Sequence, residues 1–293
     1  MTNTLQTQLP SSLFHYTDAQ GLLGILDHEA PVIRASSATY LNDSNELRFG
    51  ADSIRKTINS RINQSRTFDA KQIKWLLAIA DQTDLELRAT KVSESEPFVA
   101  CFTKAHDALS QWQGYGGFGG GGYCLEFDSD ILNSVQTSFP STGRDLPHPP
   151  SMTTRLVPVM YGGVGVNADP IGDIVDELLN LFDRNYEIDE VDLFELVQRK
   201  ILPVLPLYKD PAFELEHEWR MVIESSHSEV KHRAGSKSII PYAELQLPRN
   251  ALRGVRIGPG ANIEMRWSAV FSLLIRRGYN DVPVSSSKIP WRS

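Results

Sequence analysis

The stretch VLPLYKDPAFELEHEWRMVIES (204–225) decides the fold class. Within it EWRMVIE (218–224) reads as a strand, with Trp219, Met221 and Ile223 falling on one face by the period of two. Extended backwards, the same period puts Glu214, Glu216, Glu218 and Arg220 in one row, so three carboxylates and a guanidinium border a packed sheet. Outward from there, PFVACFT (97–103) has the apolar run of a covered strand. YCLEF (123–127), RLVPVMY (155–161), LRGVRIG (252–258), LFHYT (13–17) and PVIRASS (31–37) complete the strand candidates.

Helical patterning lies between them. Asp18 is placed to cap a short helix over 19–27, with Leu22, Leu23, Ile25 and Leu26 near helical spacing. Asn42, Asp43 and Ser44 are placed to cap helical patterning over 46–88, where Gly50 is the one glycine and no proline occurs, enough for two or three helices. Residues 169–201 are acidic and amphipathic, and a last helix is expected over 262–277. Residues 129–152, with Pro140, Pro147, Pro149 and Pro150, read as an irregular excursion. The order is neither a regular βαβ alternation nor all-β. It predicts a single α+β domain over 1–293, with helical insertions at about 46–90 and 169–201.

Composition narrows the function classes. Of 293 residues 41% are hydrophobic, enough for a real core, and 29 Lys and Arg against 36 Asp and Glu leave a net charge of −7. That balance excludes a generic basic nucleic-acid coat, although Arg48, Arg55 and Lys56 form a local basic group. The polar start MTNTLQTQLPSS has no apolar core of a secretion signal, and no stretch approaches the roughly 20 residues of a membrane span. The expectation is a cytoplasmic protein without a membrane partner.

Three constellations carry chemistry-bearing residues. His15, Tyr16 and Thr17 close the first strand, where the imidazole can donate to a ligand hydroxyl with the threonine assisting, or be satisfied by backbone. QWQGYGGFGGGGY (111–123) combines glycines that admit close backbone approach with the flat faces of Trp112, Tyr115 and Phe118, as a ligand lid or a turn. It is no phosphate-binding fingerprint, because it leads into a strand and lacks GK[ST]. The third is the Glu214–Arg220 row, where close carboxylates raise one another's pKa and the arginine holds one ionised. HExxH and CxxC are missing, so no metal is expected, and no GxSxG marks a serine nucleophile.

LFHYTDAQGLLGIL (13–26), TYLNDSNELRFG (39–50), FVACFTKAHDALSQWQGYGGFGGGGYCLEFD (98–128) and YKDPAFELEHEWRMV (208–222) together resemble an uncharacterised bacterial family, domain of unknown function 2971, from Leu13 to about Gly260. More weakly, HYT followed by GLLGIL looks like the entry to ADP-ribosyltransferase folds. That second resemblance implies a mixed, antiparallel split sheet with helical insertions, NAD as substrate and ADP-ribosyltransferase or NAD glycohydrolase activity of a toxin or anti-phage effector.

Carried over, His15 contacts the nicotinamide ribose, and a Glu of ELEHEWR, Glu216 or Glu218, orients the ribose 2′-hydroxyl and stabilises an oxocarbenium-like centre. Tyr40 or Tyr115 stacks the nicotinamide, and Arg34 or Arg220 holds the pyrophosphate, with Tyr16, Thr17 and Trp112 in the NAD pocket. The implied acceptor is a protein or a nucleic acid, and an antitoxin or defence-system component is the implied partner. The alternatives are a non-catalytic module sensing a nucleotide or nucleic acid in the same pocket, and a hydrolase built on the carboxylates alone.

Overall fold

The structure is a computed structural model describing residues 8–41, 46–64, 68–88, 97–116, 121–135, 155–162, 172–176, 179, 193–194, 196–224, 230–235 and 238–290. The expected caps Asn42, Asp43 and Ser44, together with Phe118 and most of 129–152, lie outside these residues. In chain order the elements are β1 (Ser12–Thr17), α1 (Ala19–Leu26), β2 (Val32–Ser37), α2 (Glu46–Gln64), α3 (Ala70–Arg88), β3 (Pro97–Thr103), α4 (Leu109–Tyr115), β4 (Tyr123–Asp128) and α5 (Ser129–Ser134). There follow β5 (Arg155–Pro158), β6 (Met160–Tyr161), β7 (Tyr208–Lys209), β8 (Glu218–Glu224), β9 (Lys231–Ala234), β10 (Ile239–Gln246), β11 (Leu252–Ile257), α6 (Ile263–Arg276) and β12 (Val284–Ser286).

The fold is mixed α+β around a ten-stranded sheet, antiparallel except where β11 and β12 run parallel. Strand β3 is its branch point. One edge of β3 pairs along its whole length with β8, from Pro97↔Glu224 to Thr103↔Glu218. The other edge is shared: β2 takes Phe98 and Val99, and β1 takes Thr103. Strands β1 and β2 therefore diverge, one leading to β4, β11 and β12, the other to β10 and β9.

Strand β8 is covered on both faces, and its alternation says by what. Trp219, Met221 and Ile223 enter the main core with Phe98, Ala100 and Phe102 of β3, with α1 and α6 beneath. Val222 enters a second core built from α2, α3 and the segment 196–208. The apolar ILPVLPL run at 201–207 ends in a buried 3-10 helix, Leu202–Leu207, against which α2 packs.

Several elements form where the residues dictate. Asp18 caps α1 by accepting from the Gly21 amide at 2.7 Å, and Leu22, Ile25 and Leu26 are buried, whereas Leu23 points to solvent. The pattern at 46–88 resolves into two helices of 19 residues each. RLVPVMY is two strands, β5 on β8 and β6 on β7. Strands β9, β10 and β12 were not expected from the sequence.

One expectation is corrected. Glu214 and Glu216 are not in the strand with Glu218 and Arg220. Pro211–Glu216 is a 3-10 helix, started by Pro211 and by Asp210 accepting from the Ala212 amide at 2.9 Å. His217 then takes the left-handed conformation (φ 45°, ψ 44°) and β8 begins at Glu218. Capping chemistry at Asp210–Pro211 wins over the period-2 pattern.

Gly50 is where α2 lies against the 202–207 segment, and a Cβ there would stand 2.9 Å from Leu205 Cα and closer still to its carbonyl oxygen. Neither backbone can yield cheaply. Gly50→Ala is expected to destabilise by about 2 kcal/mol or more despite alanine's better helix propensity, read as a lower urea midpoint.

Candidate functional site

The divergence of β1 from β2 leaves the backbone of Ala100–Phe102 without strand partners on that edge of β3 among the described residues. His15 fills the vacancy: its Nδ1 lies 2.8 Å from the Cys101 carbonyl oxygen. A carbonyl only accepts, so Nδ1 carries the proton and Nε2 of the neutral ring presents a lone pair. Burial pushes the His15 pKa down, outweighing this bond, so the ring is neutral at pH 7. His15 is thus satisfied by backbone, one of the two readings its place in the sequence allowed, and Nε2 is left as an acceptor.

At this fork the structure opens a cleft of about 350 Å³, open mouth included. Phe14, His15 and Tyr16 of β1 form one wall, and Cys101, Phe102 and Thr103 of β3 the floor. Gln111 and Tyr115, one turn apart on α4, form a second wall, and Glu216 and Glu218 close the third. The left-handed His217 lets residues on either side of it reach the same space. Thr103 Oγ1 fixes this turn by donating to the Glu216 carbonyl at 2.6 Å, and the Lys104 amide donates to the His217 carbonyl at 3.3 Å.

Behind the carboxylates is a buried ionic network. Lys209 Nζ lies 2.7 Å from Glu216 Oε2, 3.0 Å from Glu218 Oε2 and 3.1 Å from Glu46 Oε1. Arg220, 1% exposed, donates through Nε to Glu218 Oε1 at 2.8 Å and through Nη2 to Glu218 Oε2 at 2.9 Å. Its Nη2 is also 2.7 Å from Glu46 Oε2, and Nη1 donates to the Pro206 carbonyl. Three carboxylates and two cations leave the network one negative charge.

Burial by itself would raise the Glu218 carboxyl, but Arg220 and then Lys209 overcome it and hold the pKa at about 2. Lys209 and Arg220 move the other way: burial opposes their charge, and the surrounding carboxylates, Glu218 first and Glu216 and Glu46 with it, together more than offset it. Burial pushes the Cys101 thiol up and the Glu218 charge adds to it, so this cysteine is no thiolate nucleophile. Burial also keeps the Tyr115 hydroxyl protonated, and raises that of Tyr161 to about 12, where its oxygen accepts from the Glu218 amide at 2.8 Å.

Of the residues singled out in the sequence, His15, Tyr16, Tyr115, Glu216 and Glu218 line the cleft, and Arg220 stands behind it. Tyr16 donates to the Ala105 carbonyl at 2.8 Å and meets Trp112 edge-on; Trp112 is buried beneath it, tied to Asp107. Thr17, Arg34 and Tyr40 do not line it. Arg34 lies over the Tyr242 ring, and Tyr40 is 41% exposed. Sequence reasoning missed Glu46, Lys209, Gln111, Cys101 and Thr103. One signal was present: Glu46 lies on the same stripe of α2 as the buried Gly50, Ile54 and Ile58, where a carboxylate needs a buried partner.

Fold and cleft together define an α+β protein whose forked sheet holds an aromatic pocket backed by buried charges. The chain matches a family described as "Protein of unknown function (DUF2971)" over residues 111–221, from α4 through most of β8. That stretch bears out the resemblance read from the sequence, and the segments 13–26 and 39–50 lie outside it. No curated protein and no solved structure matches the chain.

Because Glu218 is held below its ordinary value of 4.5, the stability it contributes is complete above about pH 4.5 and lost as pH falls towards 2. Urea midpoints from pH 7 to pH 3 should fall for the parent protein and less steeply for Glu218→Gln. Arg220→Met, which leaves Glu46, Glu216 and Glu218 with Lys209 as their one buried cation, should cost about 3–5 kcal/mol at pH 7 by the same measurement.

Proposed function

We propose that the chain acts on the nicotinamide–ribose bond of NAD, as an ADP-ribosyltransferase or an NAD glycohydrolase. The observation that supports this reading is the convergence of His15, Tyr115, Glu216 and Glu218, from four separate elements, on one cleft. Breaking an N-glycosyl bond passes through an oxocarbenium-like ribosyl centre, which a carboxylate in a water-poor site stabilises.

The two glutamates divide that work. Both oxygens of Glu218 are taken by Arg220 and Lys209, so it anchors the network. Glu216 gives only Oε2 to Lys209, and Oε1 has no hydrogen-bond partner among the described residues. Glu216 is therefore the carboxylate assigned to the ribosyl centre. Tyr115 supplies the ring against nicotinamide, and His15 Nε2 accepts from a ribose hydroxyl. Arg220 is buried behind Glu218 and Arg34 does not line the cleft, so neither is given the pyrophosphate. Such an activity fits a toxin or anti-phage effector acting on a protein or nucleic acid. Arg55 of the local basic group is already paired with Asp81 and Asp84, which favours a protein acceptor.

The saturation of Glu218 favours a second reading, a non-catalytic module that senses a nucleotide or nucleic acid in the same cleft. Incubation with NAD, alone and with lysate or nucleic acid, separates the two by mass spectrometry. Released nicotinamide is expected, with free ADP-ribose or an adduct, and Glu216→Gln should slow it by about 10²- to 10³-fold. NAD bound but intact under every condition would select the sensing module.

A further inference from the structure

Gln111 is 6% exposed, lines the cleft, and its side-chain amide has no hydrogen-bond partner among the described residues. Its backbone is satisfied, the amide donating to the Ala108 carbonyl at 3.1 Å, so the side chain is not needed to hold α4. The residue is largely buried, but its amide is not among the fully enclosed unpaired polar groups, so it opens onto the cleft, where a ligand can pair with it.

The surroundings state which ligand. Phe14 and Tyr115 line it with aromatic rings, so the group that enters is a ring. A glutamine amide presents one donor and one acceptor side by side, and pairs in two bonds with an edge presenting the complement. The network behind Glu216 and Glu218 keeps one net negative charge, and no cationic side chain lines the cleft among the described residues. An anionic edge is therefore repelled.

We propose that Gln111 is the specificity residue of the cleft, reading an uncharged donor–acceptor edge on a flat ring and rejecting the corresponding acid. This deepens the reading above and rests on the same cleft. Two sources carry that edge: the carboxamide of a nicotinamide ring, and the amino and ring-nitrogen edge of adenine.

Isothermal titration of the full chain tests it with two matched pairs, nicotinamide against nicotinic acid and adenosine against purine riboside, which lacks the amino group. At least one pair should show ten-fold or greater preference for the ligand with the complete edge, and the pair that does identifies the source. Gln111→Leu, close in volume and checked by thermal melting, should lose that preference. Equal affinities within both pairs, binding by neither pair at millimolar concentration, or an unchanged preference in a folded Gln111→Leu would overturn the assignment. If the variant does not fold, the two pairs on the parent protein still decide. Discrimination without any NAD cleavage would uphold Gln111 and remove the enzymatic reading. Cleavage of NAD with an unchanged KM in Gln111→Leu would do the reverse.

Discussion

Everything around the cleft depends on the pairing of Glu218 with Arg220 inside β8. Two charged residues on the covered face of a central strand are tolerated only if each finds a partner away from water. They find one another, two residues apart on the strand, and the surplus is taken up by Glu46 from α2 and Lys209 from β7. The helical unit is thus joined to the sheet by an ionic contact as well as by Val222 in its core. Hydrophobic burial at this junction would stabilise as well or better; the network adds fixed geometry, since each carboxylate oxygen of Glu218 has an assigned donor.

The fork in the sheet gives that geometry its other half. A strand edge shared between two diverging neighbours leaves carbonyls that need donors, and His15 supplies one to Cys101. This bond fixes the tautomer, and burial keeps the ring uncharged. The result is a neutral acceptor in the same cleft as Glu218, whose carboxylate is held ionised. Such separation of protonation states across a small space is what a site for polar chemistry requires, and neither partner achieves it without the backbone around it.

Much of this was legible in the sequence where local chemistry and global packing agree. Asp18 before α1, the alternation of Trp219, Met221 and Ile223, and the long helical run after Glu46 each survive because neighbouring residues reinforce one reading. His15, Tyr115, Glu216 and Glu218 were visible as chemistry-bearing residues in separate motifs. Only the weaker resemblance put them in one pocket; no local pattern does, because their meeting depends on β1 and β2 sharing one edge of β3. Strand β9 escaped for a different reason: KHRA shows no apolar alternation and lies at the end of the sheet order.

The Glu216-His217-Glu218 triplet shows how a correct grouping can rest on a wrong geometry. Read as a strand, it puts both carboxylates on one face by periodicity, with His217 opposite. In the structure a 3-10 helix ends at Glu216, and His217 turns through the left-handed region before β8 starts. A left-handed conformation at a residue other than glycine costs about 1–2 kcal/mol and persists where the surroundings over-determine it. Here they do: Thr103 holds the carbonyl before it, Lys104 the carbonyl of His217 itself, and Tyr161 accepts the amide after it. The two carboxylates consequently approach the cleft from different directions, and Lys209 can bridge them on the buried side. A continuous strand would have set them side by side, about 7 Å apart, both facing the same way and neither able to reach round the other. The turn, rather than the strand, is what turns a row of charges into a pocket wall.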